Sequence, residues 1–206
     1  MLAAARACVM DIGLKRTTLA DVARRAGVSR MTVYRQYGDL QTIVSELLTR
    51  ELVELIDQAR CAAAHLPTAR ERLVEAGVRT VDGLVSHPLY RRVLDLDPEL
   101  LLPLVVDRFG STQKAAIALV AEQVQAGQSD GSIRAVDPAL AATCLQLTAQ
   151  SFVFSARVVE GQPVSDELRH LLDAYLRPAV NGAVDGGPAT TQRVRASAVK
   201  PTEGQR

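Results

Sequence analysis

The residues best equipped for chemistry lie between Lys15 and Tyr37. Six are basic (Lys15, Arg16, Arg24, Arg25, Arg30, Arg35) and one, Asp21, is acidic. Thr17, Thr18, Thr32, Tyr34 and Gln36 add neutral hydrogen-bonding groups. This mixture suits a polyanion: guanidinium and ammonium groups take phosphates, and hydroxyls and amides share phosphate and base-edge contacts. It does not suit catalysis. No Ser/His/Asp set, metal pair or phosphate loop can be assembled, so no enzyme is expected. Cys8, Cys61 and Cys144 form no CxxC, and His65, His87 and His170 show no metal-ligand spacing. Neither a zinc site nor a disulfide framework is expected, and no cofactor is implied. Reduced thiols are the ordinary reading, with a redox-sensing thiol as the alternative.

Two short helices must position these groups. Thr18 is a good N-cap, with Asp21 three residues on. Leu19, Val22, Ala23 and Ala26 then form one apolar stripe. Gly27 allows the left-handed stop, Val28 packs back into the angle, and Ser29 caps a second helix. A short Gly-containing turn between two helices marks a helix-turn-helix. Such a motif reads bases from the N-terminal part of its second helix. Arg30, Met31, Thr32 and Tyr34 are therefore expected at or near base edges. Lys15, Arg25 and Arg35, with Arg16 and Arg24, are expected to act mainly on phosphates. Thr17 or Thr18 can offer hydroxyl and helix N-terminal N–H groups to a phosphate; for Thr18, capping alone is the equal alternative. The competing reading of the whole stretch is an ordinary helical hairpin with a solvated basic face.

The run Thr17-Thr18-Leu19-x-Asp21-Val22-Ala23-x-x-Ala26-Gly27-Val28-Ser29, then Thr32-Val33-Tyr34-Arg35-x-Tyr37-Gly38-Asp39, resembles the DNA-binding domain of the tetracycline-repressor (TetR) family. A later turn, Gly131-x-Ile133-Arg134-x-x-Asp137-Pro138, resembles the same family. The resemblance implies an all-α fold: an N-terminal three-helix domain with the helix-turn-helix, followed by a larger helical ligand-binding and dimerisation domain. It implies a dimeric regulator of double-stranded DNA with a palindromic operator, a repressor released by a small-molecule inducer. Two departures stand out. Val9 stands where the family commonly has Phe, and Leu40 where it usually has a phosphate-binding Lys, so that contact is not carried over.

Composition agrees with a helical globule. Apolar residues make up 48% of the chain and aromatics only 3%, with Ala, Leu and Val dominant, which favours helix packing over a β-sandwich. The net charge of +1 hides an asymmetry. Residues 1–50 carry +4, residues 51–180 carry −5, and residues 181–206 carry +2. A basic head on an acidic body suits a protein that meets nucleic acid at one end. No apolar run reaches a membrane span, and the start lacks signal-peptide features, so the cytoplasm is expected.

The boundaries follow from breakers and caps. Residues 1–45 are read as the DNA-binding domain, 46–180 as the ligand and dimer domain, and 181–206 as a disordered tail. A helix over 2–11, with Leu2, Ala5, Val9 and Ile12 inward, precedes the motif. Asp39 caps a long helix to Arg60; another runs from Ala69 to Ser86. His87-Pro88, Pro98 and Pro103 fragment the middle into short pieces, Tyr90–Leu94 and Glu99–Leu102. Residues 111–126 form a helix stopped by Gly127. Asp137-Pro138 opens a strongly apolar helix to about Glu160, and Ser165–Val180 is the last. The broken middle can leave a cavity, with Tyr90, Leu101, Phe109, Ile117, Gln146 and Phe152 as candidate lining and core packing as the alternative for each. Leu147, Ser151, Phe154 and Val158, with Leu168, Leu172 and Tyr175, are the candidate dimer interface. Two other functions stay open: a ligand-independent regulator acting through a protein partner, and a helical carrier or enzyme whose N-terminal motif is incidental.

Overall fold

In the computed structural model, residues 1–96, 111–156, 158 and 164–179 are described. They form α1 (Leu2–Ile12), α2 (Leu19–Ala26), α3 (Arg30–Tyr37), α4 (Leu40–Ala63), α5 (Ala69–Ser86), α6 (Pro88–Leu96), α7 (Ser111–Ser129), α8 (Pro138–Ser155) and α9 (Val164–Leu176). The proposed Glu99–Leu102 piece, Leu101, Phe109 and the tail over 181–206 lie outside the described residues.

Local signals start these helices. Thr18 and Asp21 form a reciprocal capping box on α2, and Thr68 and Glu71 do the same on α5. In each box the hydroxyl holds its carboxylate below the usual range. Ser29 caps α3 through Thr32 N–H at 3.1 Å, and Asp39 caps α4 through Thr42 N–H at 2.7 Å. Asp137 accepts from the N–H groups of Ala139 and Leu140 at 2.8 and 3.0 Å, with Pro138 at the first turn of α8. Each cap satisfies N–H groups that a helix start leaves without partners.

Two apolar cores result. The first joins α1, α2, α3 and the first half of α4, through Val9, Val22, Ala23, Val33, Ile43, Val44 and Leu47. It also takes in Leu89 and Val93 of α6, both fully buried. The head is thus completed by a helix that follows the long α4 and α5 in the chain. On α1 the inward face is Ala5, Cys8 and Val9, whereas Ile12, at the last helical position, is 38% exposed. The second core joins α5, α7, α8 and α9 through Val74, Val78, Val81, Val124, Leu145, Leu168 and Leu172.

Gly127 does not stop its helix, as the sequence suggested. α7 runs through it to Ser129, and the turn is made by Gly131 at φ 77°. Gly127 serves a close approach instead: a Cβ there would sit 2.3 Å from Ile133 Cδ1. Ile133 is buried, and its N–H donates to the Gly127 carbonyl at 2.8 Å. Arg134 ties the same turn to α9. Its N–H donates to Leu176 O at 2.9 Å, its Nε to Tyr175 O at 2.6 Å, and its guanidinium lies 4.6 Å over the Tyr175 ring.

Gly127→Ala is expected to lower unfolding free energy by about 1–3 kcal/mol, as overpacking does. In urea denaturation, combining it with Ile133→Ala should cost less than the two changes added together, because they share one contact.

Candidate nucleic-acid interface and ligand cavity

The helix-turn-helix is tight. Gly27 adopts φ 67°, and Val28 N–H donates to Ala23 O at 3.1 Å. Ala23, buried at the crossing, lets α2 and α3 approach. Val33 is the buried anchor of α3, with Val28 and Tyr37 packed beside it. The opposite face of α3 is open. Arg30, Met31, Tyr34, Arg35 and Gln36 are exposed, Met31 at 70% and Tyr34 at 58%. Arg30 and Arg35 have no acidic partner among the described residues. Thr32 shares a 2.8 Å hydrogen bond with the Ser29 hydroxyl, which orients it at the first turn.

The other predicted contacts divide. Lys15 and Arg16 are exposed at the turn leading into α2. Thr17 is corrected: it is buried, its hydroxyl donates to Gly13 O at 2.7 Å, and its N–H donates to Leu14 O at 3.1 Å. Both donors are used inside the head. The Thr18 hydroxyl donates to Asp21 Oδ2 at 2.6 Å, the capping alternative. Arg25 is also corrected. It pairs with Asp11 of α1 at 2.6 Å, a contact that raises its pKa and directs the guanidinium toward α1. Arg24 pairs with Asp21 at 2.7 Å. Two of the six basic residues thus brace α2, while Arg30 and Arg35 keep exposed positive charge on α3.

A cavity of about 920 Å³ lies in the body. Leu52 and Ile56 of α4, Leu73, Gly77, Val81 and Leu84 of α5, Leu119 and Val120 of α7, and Val153 and Phe154 of α8 give it apolar walls. Tyr90 and Gln146 line it, as the sequence suggested. Ile117 and Phe152 do not. On α7 the cavity side is Ala116, Leu119, Val120 and Gln123, which turns Ile117 away; Phe152 packs into the second core. The α4 and α5 walls were missed. Their signal was an apolar face on α4 continuing past the head, facing the small Ala76 and Gly77 of α5.

The dimer candidates also divide. Leu168 and Leu172 are buried inside the chain against α5, so they are core residues. Tyr175 is held beneath Arg134, and Phe154 lines the cavity. Leu147, Ser151 and Val158 are exposed. Leu140 and Leu171 join them, at 59% and 52% exposure. The outward apolar face is therefore narrower than the sequence suggested.

Between cavity and head stands α6. The Tyr90 phenol donates to Leu48 O at 2.6 Å, and burial raises its pKa. The His87 ring stacks edgewise on Tyr90 at 5.5 Å. His87 Nε2 lies 3.0 Å from Glu51 Oε2, and Arg6 Nε donates to Glu51 Oε1 at 3.2 Å. Glu51 of α4 thus joins α1 of the head to the α5–α6 corner.

An exposed basic reading helix, buttressed by its own capped turn and carried on a helical body with a large cavity, defines a helix-turn-helix transcriptional regulator. The comparisons with known proteins agree. A profile of bacterial regulatory proteins of the tetR family matches residues 1–47. An uncharacterized HTH-type transcriptional regulator of Mycobacterium tuberculosis is 35% identical over 180 residues, covering 85% of this chain and 92% of the relative. The chain belongs to the TetR family. In fold it is similar to the transcriptional repressor QsdR of R. erythropolis, with a TM-score of 0.64 at 17% identity over 89% of this chain and 97% of that one. It is also similar to the regulator FadR of Bacillus subtilis, solved in complex with stearoyl-CoA, with a TM-score of 0.64 at 18% identity over 85% and 97%. Among the described residues no group of His, Cys, Asp or Glu could hold a metal ion, and no helix is long and apolar enough to cross a membrane.

Thr17→Val and Tyr34→Ala should separate folding from binding. The first is expected to cost about 1–3 kcal/mol of stability by stranding a buried carbonyl, with duplex affinity of the folded protein unchanged. The second should leave stability within about 0.5 kcal/mol and weaken specific duplex binding by about 1–3 kcal/mol. Thermal unfolding and fluorescence anisotropy on a labelled duplex check the pair.

Proposed function

We propose that this regulator is a dimeric repressor released from a palindromic operator by a small molecule. The observation that carries the reading is the double role of α6. Leu89 and Val93 complete the core of the head, while Tyr90, on the same helix, lines the cavity. A ligand that prefers one position of Tyr90 therefore biases α6, and α6 cannot move without disturbing the packing of α1 and α4. The shift is limited by the ligand's difference in affinity for the two arrangements. The cavity favours this reading over a ligand-independent regulator. The stearoyl-CoA held by the similarly folded FadR supports a ligand-bearing body.

In this reading Arg30, Met31, Thr32 and Tyr34 meet base edges, and Lys15, Arg16 and Arg35 meet phosphates. Residues 1–45 form the reading unit and 46–180 the ligand and dimer unit, with α4 and α6 shared. One eight-residue helix reads few base pairs, so two copies are needed. Two-fold symmetry places the two α3 helices about 34–36 Å apart for half-sites one turn apart. The exposed Leu140, Leu147, Ser151 and Leu171 supply the face for a second copy.

Selection of bound sequences from a random duplex library tests the reading. A two-fold symmetric site is expected; a single asymmetric half-site, or no enrichment at low salt, overturns it. With three phosphates held per protomer, the log–log salt dependence of operator binding should have a slope of about −5. Glu51→Gln touches neither α3 nor DNA, yet should change operator affinity by about 0.5–2 kcal/mol through the altered tie between head and body.

A further inference from the structure

The cavity is apolar along most of its length and charged at one end. α4 and α5 run side by side in opposite directions: a Cβ on Gly83 would meet Leu55 Cδ2 at 3.0 Å. The end of α4 therefore lies beside the start of α5. This brings Arg60 toward the same end of the cavity as Arg72, with Asp57 about one helical turn nearer its middle, and all three line it. Asp130 at the end of α7 accepts from Ala69 N–H at 2.8 Å, which sets Gln123 of α7 at that end as well. Tyr90, Leu52 and Leu84 line the other end, next to the head.

Of the charged side chains that line the cavity, two are arginines and one is an aspartate; Arg60 Nη1 sits 3.8 Å from Asp57 Oδ1, a loose pair between half-exposed side chains. Arg72 Nη1 donates to the carbonyls of Leu66 and Pro67 at 2.8 and 3.0 Å, which holds its guanidinium in place beside the α4–α5 turn, with the Asp130 carboxylate in its field. Arg60 is thus the exchangeable group: a partly solvated arginine in a loose pair can exchange its carboxylate partner for another anion at little cost.

We propose that the cavity takes a single-chain amphiphile with a carboxylate headgroup, the headgroup held by Arg60 with Arg72 beside it and the apolar tail directed toward Tyr90. This deepens the ligand-released reading above and rests on it for its regulatory meaning, though not for binding itself. The tail reaches the phenol that is tied to Leu48, so chain length, rather than the headgroup, sets how strongly Tyr90 is pressed. Burial of one methylene contributes about 0.8 kcal/mol, close to a fourfold gain in affinity.

Calorimetric titration of the full chain with octanoate, decanoate, dodecanoate, 1-dodecanol and dodecyltrimethylammonium tests the assignment. Affinity should rise about fourfold per methylene from octanoate to dodecanoate. Dodecanoate should bind at least fivefold tighter than the alcohol, and the trimethylammonium least. Arg60→Gln should abolish the preference for carboxylate over alcohol while leaving the alcohol's affinity unchanged, and Arg60→Lys should retain it; helical circular dichroism shows that both variants are folded. Equal or tighter binding of the alcohol or the cation, no binding by any of the five, or a preference that survives in Arg60→Gln overturns the proposal. Operator binding is followed in the same samples. Dodecanoate that binds as expected but leaves the operator complex intact supports the ligand assignment and overturns the release mechanism, so the two fail separately.

Discussion

The structure depends on the insertion of Leu89 and Val93 into the head. α1, α2 and α3 are short, and three short helices bury too little apolar surface to hold themselves together. α4 supplies Ile43, Val44, Leu47 and Leu48, and α6 closes the remaining side. Each buried Leu or Val contributes on the order of 1.5–3 kcal/mol, a large fraction of the stability of a small unit. The reading head is therefore not an appendage. Its geometry is set partly by a helix whose other face belongs to the cavity.

Charge is distributed with the same division of labour. Arg25 and Arg24 lie on α2 and are held by Asp11 and Asp21, stiffening the helix that supports the reader. Arg30 and Arg35 lie on α3 and point outward. Exposed pairs of the first kind contribute little individually, but they fix where the guanidinium groups are. Cations left without carboxylate partners concentrate the positive field on the face that meets phosphates. Glu51 extends the pattern into the body, accepting from Arg6 on one side and His87 on the other.

The cavity follows from small residues at a helix crossing. Ala76, Gly77 and Thr80 of α5 carry little side-chain volume where Leu172 and the α8 face come near. Bulk returns at Val78, which is buried in the second core and does not line the cavity. The same helix thus has a filled side and an unfilled one. The Gly131–Asp137 turn keeps the far wall fixed: Ile133 locks against Gly127, and Arg134 holds the end of α9.

The elements and the reading helix were legible in the sequence because local bonds specify them. Thr18, Ser29, Asp39, Thr68 and Asp137 cap helices through N–H groups two or three residues away, and Gly27 makes its own turn. The face of α3 followed from the same short-range pattern, since only Met31 and Val33 interrupt a polar, basic run, and Val33 alone of the two is buried. What each side chain meets across the fold was a different matter. Thr17 and Arg25 had the right chemistry for phosphate, but Gly13 and Asp11 hold them inside the head. Gly127 looked like a helix stop because nothing nearby announces Ile133 against it. Leu168 and Leu172 carried the same apolar signal as Leu147 and Leu171, yet two are core and two face outward. The sequence by itself determined the helices, their caps and the basic reading surface. Only the tertiary structure decided which apolar faces fill a core, line a cavity or stay open, because burial depends on contacts with helices far along the chain, and periodicity carries no record of the partner.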